Sequence, residues 1–269
     1  MDGDVYVFKI YIHILFSTAM KFPLLLLLLS IRLAIFAQTP TPSSVKPPSH
    51  DRWDALLKKN VREDGRVDYR GFQRDSQELN RYLKTLETTP PDPKIWSADE
   101  QMAYWINAYN AYTIQLVTRH YPVKSIKDIK HGVTFVNTVW DIKFIRIGGK
   151  SYDLNNIEHG ILRKDFKDAR IHAALNCASV SCPPLSRQAY TAAKLDKQLD
   201  AVMRSFVNDP VRNRITAGKA EVSEIFKWFD GDFTRDASSV KAFINRYAKT
   251  PIGDKTPLNY MSYDWKLNE

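Results

Sequence analysis

The segment 97–120 constrains the fold of this chain more than any other. Ser97 and Glu100 form a capping box, in which a hydroxyl and a carboxylate satisfy free backbone N–H groups and start a helix. Apolar side chains then recur at helical spacing on two faces: Trp105, Ala108, Tyr109, Tyr112 and Leu116 on one, and Ala103, Ile106, Ile114 and Val117 on the other. A helix that is apolar on most sides must be buried on most sides, so the sequence predicts a central helix surrounded by other elements.

Two asparagines, Asn107 and Asn110, lie on the second face of this predicted helix. A buried amide must find hydrogen-bond partners inside the protein, because leaving it unpaired is costly. The two side chains could orient the groups of a functional site. They could equally tie neighbouring loops to the helix, which is the more common use of a buried asparagine.

Shorter patterns on both sides supply the elements that would surround the central helix. Helical spacing marks 53–61, 79–86, 195–206 and 240–247, and Asn155 to Glu158 can cap another helix that runs through Leu162. Strands are predicted at 134–136, 144–147, 151–154 and 220–225, with an extended piece at 67–69 and a Gly148-Gly149 hairpin turn. The aromatic tail at 260–268 should dock on the body. This mixture predicts an α+β fold: a single compact domain over 50–269 with several flanking helices and a small, mostly antiparallel sheet.

Residues 1–37 have the pattern of a secretory signal whose true start is Met20. Lys21 follows that methionine, an apolar run with six consecutive leucines comes next, and Ala37 precedes a polar stretch. Residues 38–49, rich in Pro, Thr and Ser, are then a flexible linker. We therefore expect an exported protein, either periplasmic or secreted. The alternative is an uncleaved membrane anchor, because residues 5–16 are apolar as well.

The formal net charge of the chain is +9, of which residues 1–37 contribute +1. A basic protein can attract anionic partners. Here the Lys and Arg residues are spread along the chain, no run resembles a nucleic-acid motif, and export argues against that partner. We therefore predict a solvated basic surface, no nucleic-acid partner, and membrane contact only through an uncleaved N-terminal segment.

Both cysteines of the chain, Cys177 and Cys182, lie in the stretch 170–185, which also holds His172. Residues 171–175 indicate a short buried strand, since the apolar run is too brief for an ordinary helix. The small polar residues at 176–181 predict a tight turn, and Pro183-Pro184 ends regular structure there. Reactive groups are often placed on such a loop beside a rigid element, so the stretch predicts a functional site.

One hypothesis is a thiol-dependent acyl-transfer enzyme or hydrolase with Cys177 as its nucleophile. Such an enzyme needs a thiolate, a nearby base and a group that orients the base. On a regular strand His172 would point away from Cys177, so His159 from another helix is the better candidate base, and His172 can serve Cys182 or be a hydrogen-bonded core residue. The residues that could orient the base are Asn107, Asn110 and Glu158.

The alternative hypothesis is a non-catalytic binding or scaffold module with a structural Cys177–Cys182 disulfide. Two cysteines in an exported protein usually pair, and four intervening residues can close such a ring. A redox-active pair is weaker, because the spacing is not that of thioredoxin-like motifs. The histidines and cysteines match no standard zinc spacing, so we predict no metal site and no cofactor.

Aromatic and acidic residues alternate in one further stretch: Trp228, Phe229, Asp230, Asp232 and Phe233. They could form a groove, but core packing explains the aromatics equally well. We therefore do not count them as site residues.

Four motifs of this chain resemble an uncharacterised family catalogued as domain of unknown function 547. They are 104–111 (YWINAYNA), 156–163 (NIEHGILR), 170–184 (RIHAALNCASVSCPP) and 263–268 (YDWKLN). Together they span 104–268, most of the predicted domain, and their fixed order makes the resemblance specific. The resemblance implies a domain found in bacterial exported proteins and in fusions with other domains; it implies no particular reaction.

Overall fold

The structure, a computed structural model, describes residues 45–130, 138–216 and 218–269. The described residues belong to one compact unit, Val45–Glu269. The predicted secretory segment at 1–37, most of the predicted linker and the predicted strand at 134–136 lie outside the described residues. Within the described ranges, no helix has both the length and the apolar character needed to cross a membrane.

From residue 45 onward, three helices precede the central one: α1 (Asp51–Asn60), α2 (Tyr69–Arg74) and α3 (Ser76–Thr88). The helices predicted at 53–61 and 79–86 are confirmed as α1 and α3. The prediction of an extended piece at 67–69 is wrong for Tyr69, which begins α2. The Asp68 carboxylate accepts the Gly71 N–H at 2.8 Å and so caps this helix.

The central helix α4 (Ala98–His120) begins at the predicted capping box and ends where predicted. The Ser97 hydroxyl accepts the Glu100 N–H, and the Glu100 carboxylate accepts the Ser97 N–H. Every residue from 102 to 117 is buried. The apolar side chains of α4 join one large core with those of α1, α2 and α3, so the prediction of a buried central helix is confirmed.

A short hairpin and an unusual helix follow α4. Strands β1 (Ile145–Ile147) and β2 (Lys150–Tyr152) pair antiparallel around Gly148 and Gly149, which both adopt positive φ as a two-residue turn requires. The helix predicted from Asn155 through Leu162 is confirmed, but the structure winds it as a π-helix, Asn156–Phe166. Such wider turns are frequent at functional sites.

The second half of the domain has its own smaller core. Its helices are α5 (Ile171–Ala174), α6 (Leu195–Val207), α7 (Ile225–Trp228), α8 (Asp230–Asp236) and α9 (Val240–Asn245). Strand β4 (Ala220–Ser223) lies between β3 (Arg214–Ile215), which is antiparallel to it, and β5 (Leu258–Met261), which is parallel. Two of the three strand pairings described are antiparallel, and the α+β prediction is confirmed.

The C-terminal tail docks on the body of the domain, as predicted, and it does so at the segment that holds the cysteines. The Val180 N–H donates to the Lys266 carbonyl at 2.8 Å, and the Asp264 N–H donates to the Ser181 hydroxyl at 2.8 Å. Farther along, the Tyr69 hydroxyl donates to the Asn268 side chain at 2.6 Å. These bonds fix the last residues of the chain against both the cysteine segment and α2.

Candidate active site

The cysteines lie on an irregular segment, residues 175–184, that we call the cysteine loop. The strand predicted at 171–175 is wrong: Ile171–Ala174 is the one-turn helix α5, and the chain becomes extended only at Leu175. Alanine favours a helix, and the packing of α5 against α6 buries all four of its residues. The strand-based argument that turned His172 away from Cys177 therefore no longer applies.

The cysteine loop makes a sharp bend directly after Cys177. Ala178 has φ +63°, in the left-handed region that non-glycine residues rarely occupy. The Asn176 side chain holds this bend: its oxygen accepts the Ala178 N–H at 3.0 Å, and its amide donates to the Pro183 carbonyl at 2.8 Å. Asn176 thus joins both ends of the loop and fixes the position of the Cys177 thiol.

Both asparagines of α4 tie loops to the helix. The Asn110 amide donates to the Ala174 carbonyl and its oxygen accepts the Asn176 N–H, both at 2.9 Å. Asn107 forms the same pair of bonds with the backbone of Tyr190, at 2.8 and 2.9 Å. Asn110 therefore supports the cysteine loop from behind, whereas Asn107 supports a different segment.

A cavity of about 210 Å³ opens in front of the cysteine loop. Its polar lining includes four of the predicted site residues, Cys177, Glu158, His159 and His172, together with Asn155. Its aromatic wall consists of Tyr109, Trp140, Trp228, Phe229, Tyr263 and Trp265. Asn107 and Asn110 are not part of the lining. The structure thus brings four of the six predicted catalytic candidates to one cavity.

Cys177 is hydrogen-bonded in a way that favours its thiolate. Its Sγ lies 3.4 Å from the Tyr263 hydroxyl and 3.5 Å from the Ser179 hydroxyl. A hydrogen bond from the Cys182 thiol is the largest influence on the pKa of Cys177; with those from Tyr263 and Ser179, it outweighs burial and holds that pKa below the ordinary thiol value. A thiol with a lowered pKa is more nucleophilic at neutral pH.

Cys182 is the opposite case, since it is buried and burial raises its pKa well above the ordinary value. Both cysteines are free thiols that do not lie at disulfide distance, so the predicted Cys177–Cys182 disulfide is absent from the structure. The Cys182 sulfur instead accepts the Cys177 N–H at 2.8 Å. The second thiol therefore contacts the backbone of the cysteine loop and supports the first.

His172 is buried, and among the described residues its ring has a single hydrogen-bond partner. Its Nε2 lies 2.7 Å from a carboxylate oxygen of Asp232, and its ring stacks on Phe229 with centroids 3.9 Å apart. Burial lowers the pKa of His172 despite the neighbouring Asp232. The neutral ring must donate from Nε2 to the carboxylate, which leaves Nδ1 as a bare acceptor. Nδ1 is buried without a hydrogen-bond partner among the described residues.

Asp232 also accepts a hydrogen bond from the guanidinium of Arg163 at 2.6 Å. Burial pushes the pKa of Asp232 upward, but the hydrogen bonds from His172 and Arg163 outweigh it and hold that pKa well below its usual range. Asp232 is therefore ionised at neutral pH and fixes the tautomer of His172.

His159 and Glu158 reach the cavity from the π-helix. His159 is exposed, and its Nδ1 lies 3.1 Å from Arg163. No hydrogen bond joins His159 to either sulfur among the contacts of the described residues. Burial raises the pKa of Glu158, opposed by the charge of His159 and by a hydrogen bond from Tyr109. The predicted base thus lies at the edge of the cavity, while Glu158 keeps its proton to a higher pH than an ordinary carboxyl.

Several residues of this site were not in the sequence prediction. Asp232, Phe229 and Trp228 lie in the alternating aromatic and acidic stretch, and Tyr263 lies in the aromatic tail. Their residue types were visible, but their approach to the cysteine loop depends on contacts across 60 and 86 residues of chain. Within the described ranges, no cluster of three or more His, Cys, Asp or Glu side chains could hold a metal ion.

The fold and the site together define an α+β domain with a free thiol in a partly aromatic cavity. Residues 93–207 match the family described as Protein of unknown function, DUF547. The match contains three of the four motifs and confirms the family resemblance. No curated protein and no solved structure matches the chain.

Proposed function

We propose that this protein is a thiol-dependent acyl hydrolase or acyl transferase whose nucleophile is Cys177. One observation carries the proposal: the Cys177 thiol lies in the wall of a cavity under hydrogen bonds that lower its pKa. Groups whose pKa is perturbed by burial and specific partners concentrate at functional sites. The reaction class follows from what a thiolate does best, which is to attack an acyl carbon.

In the acylation step, the Cys177 sulfur forms a bond to the carbonyl carbon of the substrate and the bond to the leaving group breaks. The leaving group needs a proton. Glu158 lines the same cavity and has a raised pKa, so it can supply that proton as a general acid. The product of this step is a thioester on Cys177 and a carboxylate on Glu158.

In the deacylation step, water or an acceptor hydroxyl or amine attacks the thioester. The bare Nδ1 of His172 can take the proton of this attacking group, because Asp232 holds the proton on Nε2 and stabilises the cation that forms. The thiolate of Cys177 then leaves, and the proton returns to Glu158 through solvent. This geometry supports His172 as the base in preference to the exposed His159.

We also propose that the protein works outside the cytoplasm. This location rests on the sequence pattern of residues 1–37. An exported enzyme with a functional thiol must keep that thiol reduced, and Tyr263, Ser179 and Cys182 occupy the space around the Cys177 sulfur.

Acyl-enzyme formation tests the proposed function directly. The purified protein is incubated with p-nitrophenyl acetate, and intact mass and peptide mapping locate the acyl group. We expect one acetyl group on Cys177 and a burst of p-nitrophenol equal to the enzyme concentration. Cys177→Ala should lower turnover by at least about 1,000-fold with an unchanged unfolding temperature.

Two controls make this test decisive. Cys177→Ser keeps the shape of the site and should fold normally but form no thioester. A thiol count on the denatured protein should give two free thiols. Full activity in Cys177→Ala, or a protein with no free thiol, would contradict the proposal.

A further inference from the structure

We propose that the cavity beside Cys177 accepts a compact, uncharged, apolar acyl group, and that Trp228 sets the upper limit on its size. This inference deepens the proposed function and rests on it. Three properties of the cavity lead to it: the chemistry of its wall, the absence of Lys and Arg from the described residues that line it, and its volume.

The wall of the cavity is mainly apolar. Beside the aromatic wall, the lining contains Leu175, Pro183 and Ile225. Three of the polar lining groups have roles in the proposed chemistry: Cys177, His172 and Glu158. An apolar acyl group would therefore displace water from apolar surface, and each buried methylene should raise kcat/KM by about fourfold.

The charges around the cavity disfavour an anionic acyl group. Among the described residues that line it, there is no Lys or Arg, and Glu158 becomes a carboxylate in the acylation step. The nearby Arg163 is engaged with Asp232, at 2.6 Å. An acyl chain that ends in a carboxylate would enter this space without a Lys or Arg partner, and burying an unpaired charge is expensive.

The volume of the cavity limits the size of the acyl group. An apolar cavity of about 150 Å³ holds a benzene molecule. A cavity of about 210 Å³ is therefore large enough for a benzoyl or hexanoyl group but not for a long fatty acyl chain. The rest of the substrate must lie outside the cavity as the leaving group.

Trp228 forms the outer edge of the aromatic wall. It is 43% exposed, although it packs on Tyr263 with ring centroids 4.8 Å apart and stacks on Trp265 at 5.9 Å. Removing its indole would open the wall toward solvent without touching Cys177 or His172. Longer acyl chains could then pass through the opening.

A series of p-nitrophenyl esters tests this inference on the full-length protein. The acyl groups are acetyl, butyryl, hexanoyl, benzoyl, dodecanoyl and succinyl, and kcat/KM is measured for each below its critical micelle concentration. We expect an increase of about fourfold per methylene from acetyl to hexanoyl, a similar maximum for benzoyl, and a steep fall for dodecanoyl. Succinyl should be at least about tenfold poorer than the uncharged butyryl, which has the same number of carbons.

The variant Trp228→Ala should raise the dodecanoyl-to-hexanoyl ratio of kcat/KM by at least about tenfold. Tyr260→Ala is the matched control, because Tyr260 is a partly exposed aromatic residue outside the cavity lining; it should leave the ratio unchanged. Turnover that depends on Cys177 but is flat with acyl length, or favours dodecanoyl or succinyl, overturns this inference and leaves the proposed function intact. The absence of any Cys177-dependent turnover across the series overturns both.

Discussion

The two sides of the cysteine loop differ in how their polar groups are satisfied. On the rear side, toward α4, the side chains of Asn110, Asn176 and Asn268 are buried, and their hydrogen bonds connect helix, loop and tail. On the front side, toward the cavity, Cys177 is partly exposed and the Nδ1 of His172 has no partner among the described residues.

This difference separates the part that holds the site from the part that would react. A buried polar group is normally paired, and an unpaired one needs a reason, such as a catalytic role. A reactive group must also be held in position by neighbours whose own hydrogen bonds are complete. The rear side supplies those neighbours, and the front side leaves one nitrogen and one sulfur for a ligand.

The largest effect should come from Asp232→Asn, which alters the front side. The amide is uncharged and its NH2 group can donate to the His172 ring, so the Nε2–H tautomer and the ring cation both lose the support of the carboxylate. We expect a loss of about 100- to 1,000-fold in kcat, in line with the loss of an orienting carboxylate. Nitrogen-15 spectra of the His172 ring should show a change of tautomer.

The matched control for this variant is His159→Gln at the edge of the cavity, which should change kcat by less than about threefold. Equal losses in the two variants would remove the distinction between the buried and the exposed histidine.

A slightly smaller effect should follow from Asn110→Ala, which alters the rear side. The change leaves the Ala174 carbonyl and the Asn176 N–H buried without their partner. We expect a loss of about 3 kcal/mol in the free energy of unfolding, measured by urea denaturation. Because the loop also loses its support, alkylation of Cys177 by iodoacetamide should shift toward the pH dependence of an ordinary thiol.

Asn107→Ala provides the comparison, since Asn107 makes the same two bonds on the same helix but to Tyr190. It should destabilise the protein by a similar amount and leave the alkylation profile of Cys177 unchanged. If both variants alter the profile equally, the rear side does not act specifically through Asn110.

Tyr263→Phe should have a moderate effect, because it removes one of the hydroxyl groups near the Cys177 sulfur. The hydroxyl stabilises the thiolate, so its loss must raise the pKa of Cys177. The alkylation profile should then move to higher pH, with a rate at pH 7 about three- to tenfold lower. Tyr247→Phe, whose hydroxyl bonds Asp200 away from the cavity, should not move the profile; a shift toward lower pH in Tyr263→Phe would be inconsistent with its role as a donor.

The smallest effect should come from Ala178→Gly, at the bend between the two sides. Glycine removes a backbone cost of about 1 kcal/mol at this positive φ. It also removes a buried methyl group and increases the conformational entropy of the unfolded chain, and both of these changes destabilise the folded protein. These terms nearly cancel, so the free energy of unfolding should change by less than about 1 kcal/mol. Ala178→Val should instead destabilise the protein by more than 2 kcal/mol, because a branched side chain is strained at this φ; a tolerated valine would show that the bend can relax.

The sequence patterns that succeeded were local. The capping box at Ser97, the apolar faces of α4 and the Gly148-Gly149 turn each depend on residues a few positions apart, and each is confirmed. The prediction of a strand at 171–175 failed because four buried residues in one turn have no periodicity that separates helix from strand.

The candidate site was only partly predictable for a different reason. Cys177, Glu158, His159 and His172 were found because they lie close together in the sequence. The pairing of His172 with Asp232 joins elements 60 residues apart, and no spacing rule indicates which carboxylate a buried histidine will meet. The sequence left two roles open for Asn110, orienting a site or tying a loop to the helix, because an asparagine can do both. Its bonds to the backbone of Ala174 and Asn176 decide between them.

The docking of the tail has a consequence for how the chain acquires reactivity. Tyr263 reaches the Cys177 sulfur only when the tail that follows β5 lies against the cysteine loop. Without the docked tail, Cys177 lacks the hydrogen bond from Tyr263, so we expect its thiol to have a higher pKa and to react more slowly. The rate at which a mild electrophile labels Cys177 near pH 6 would then report whether the tail has docked.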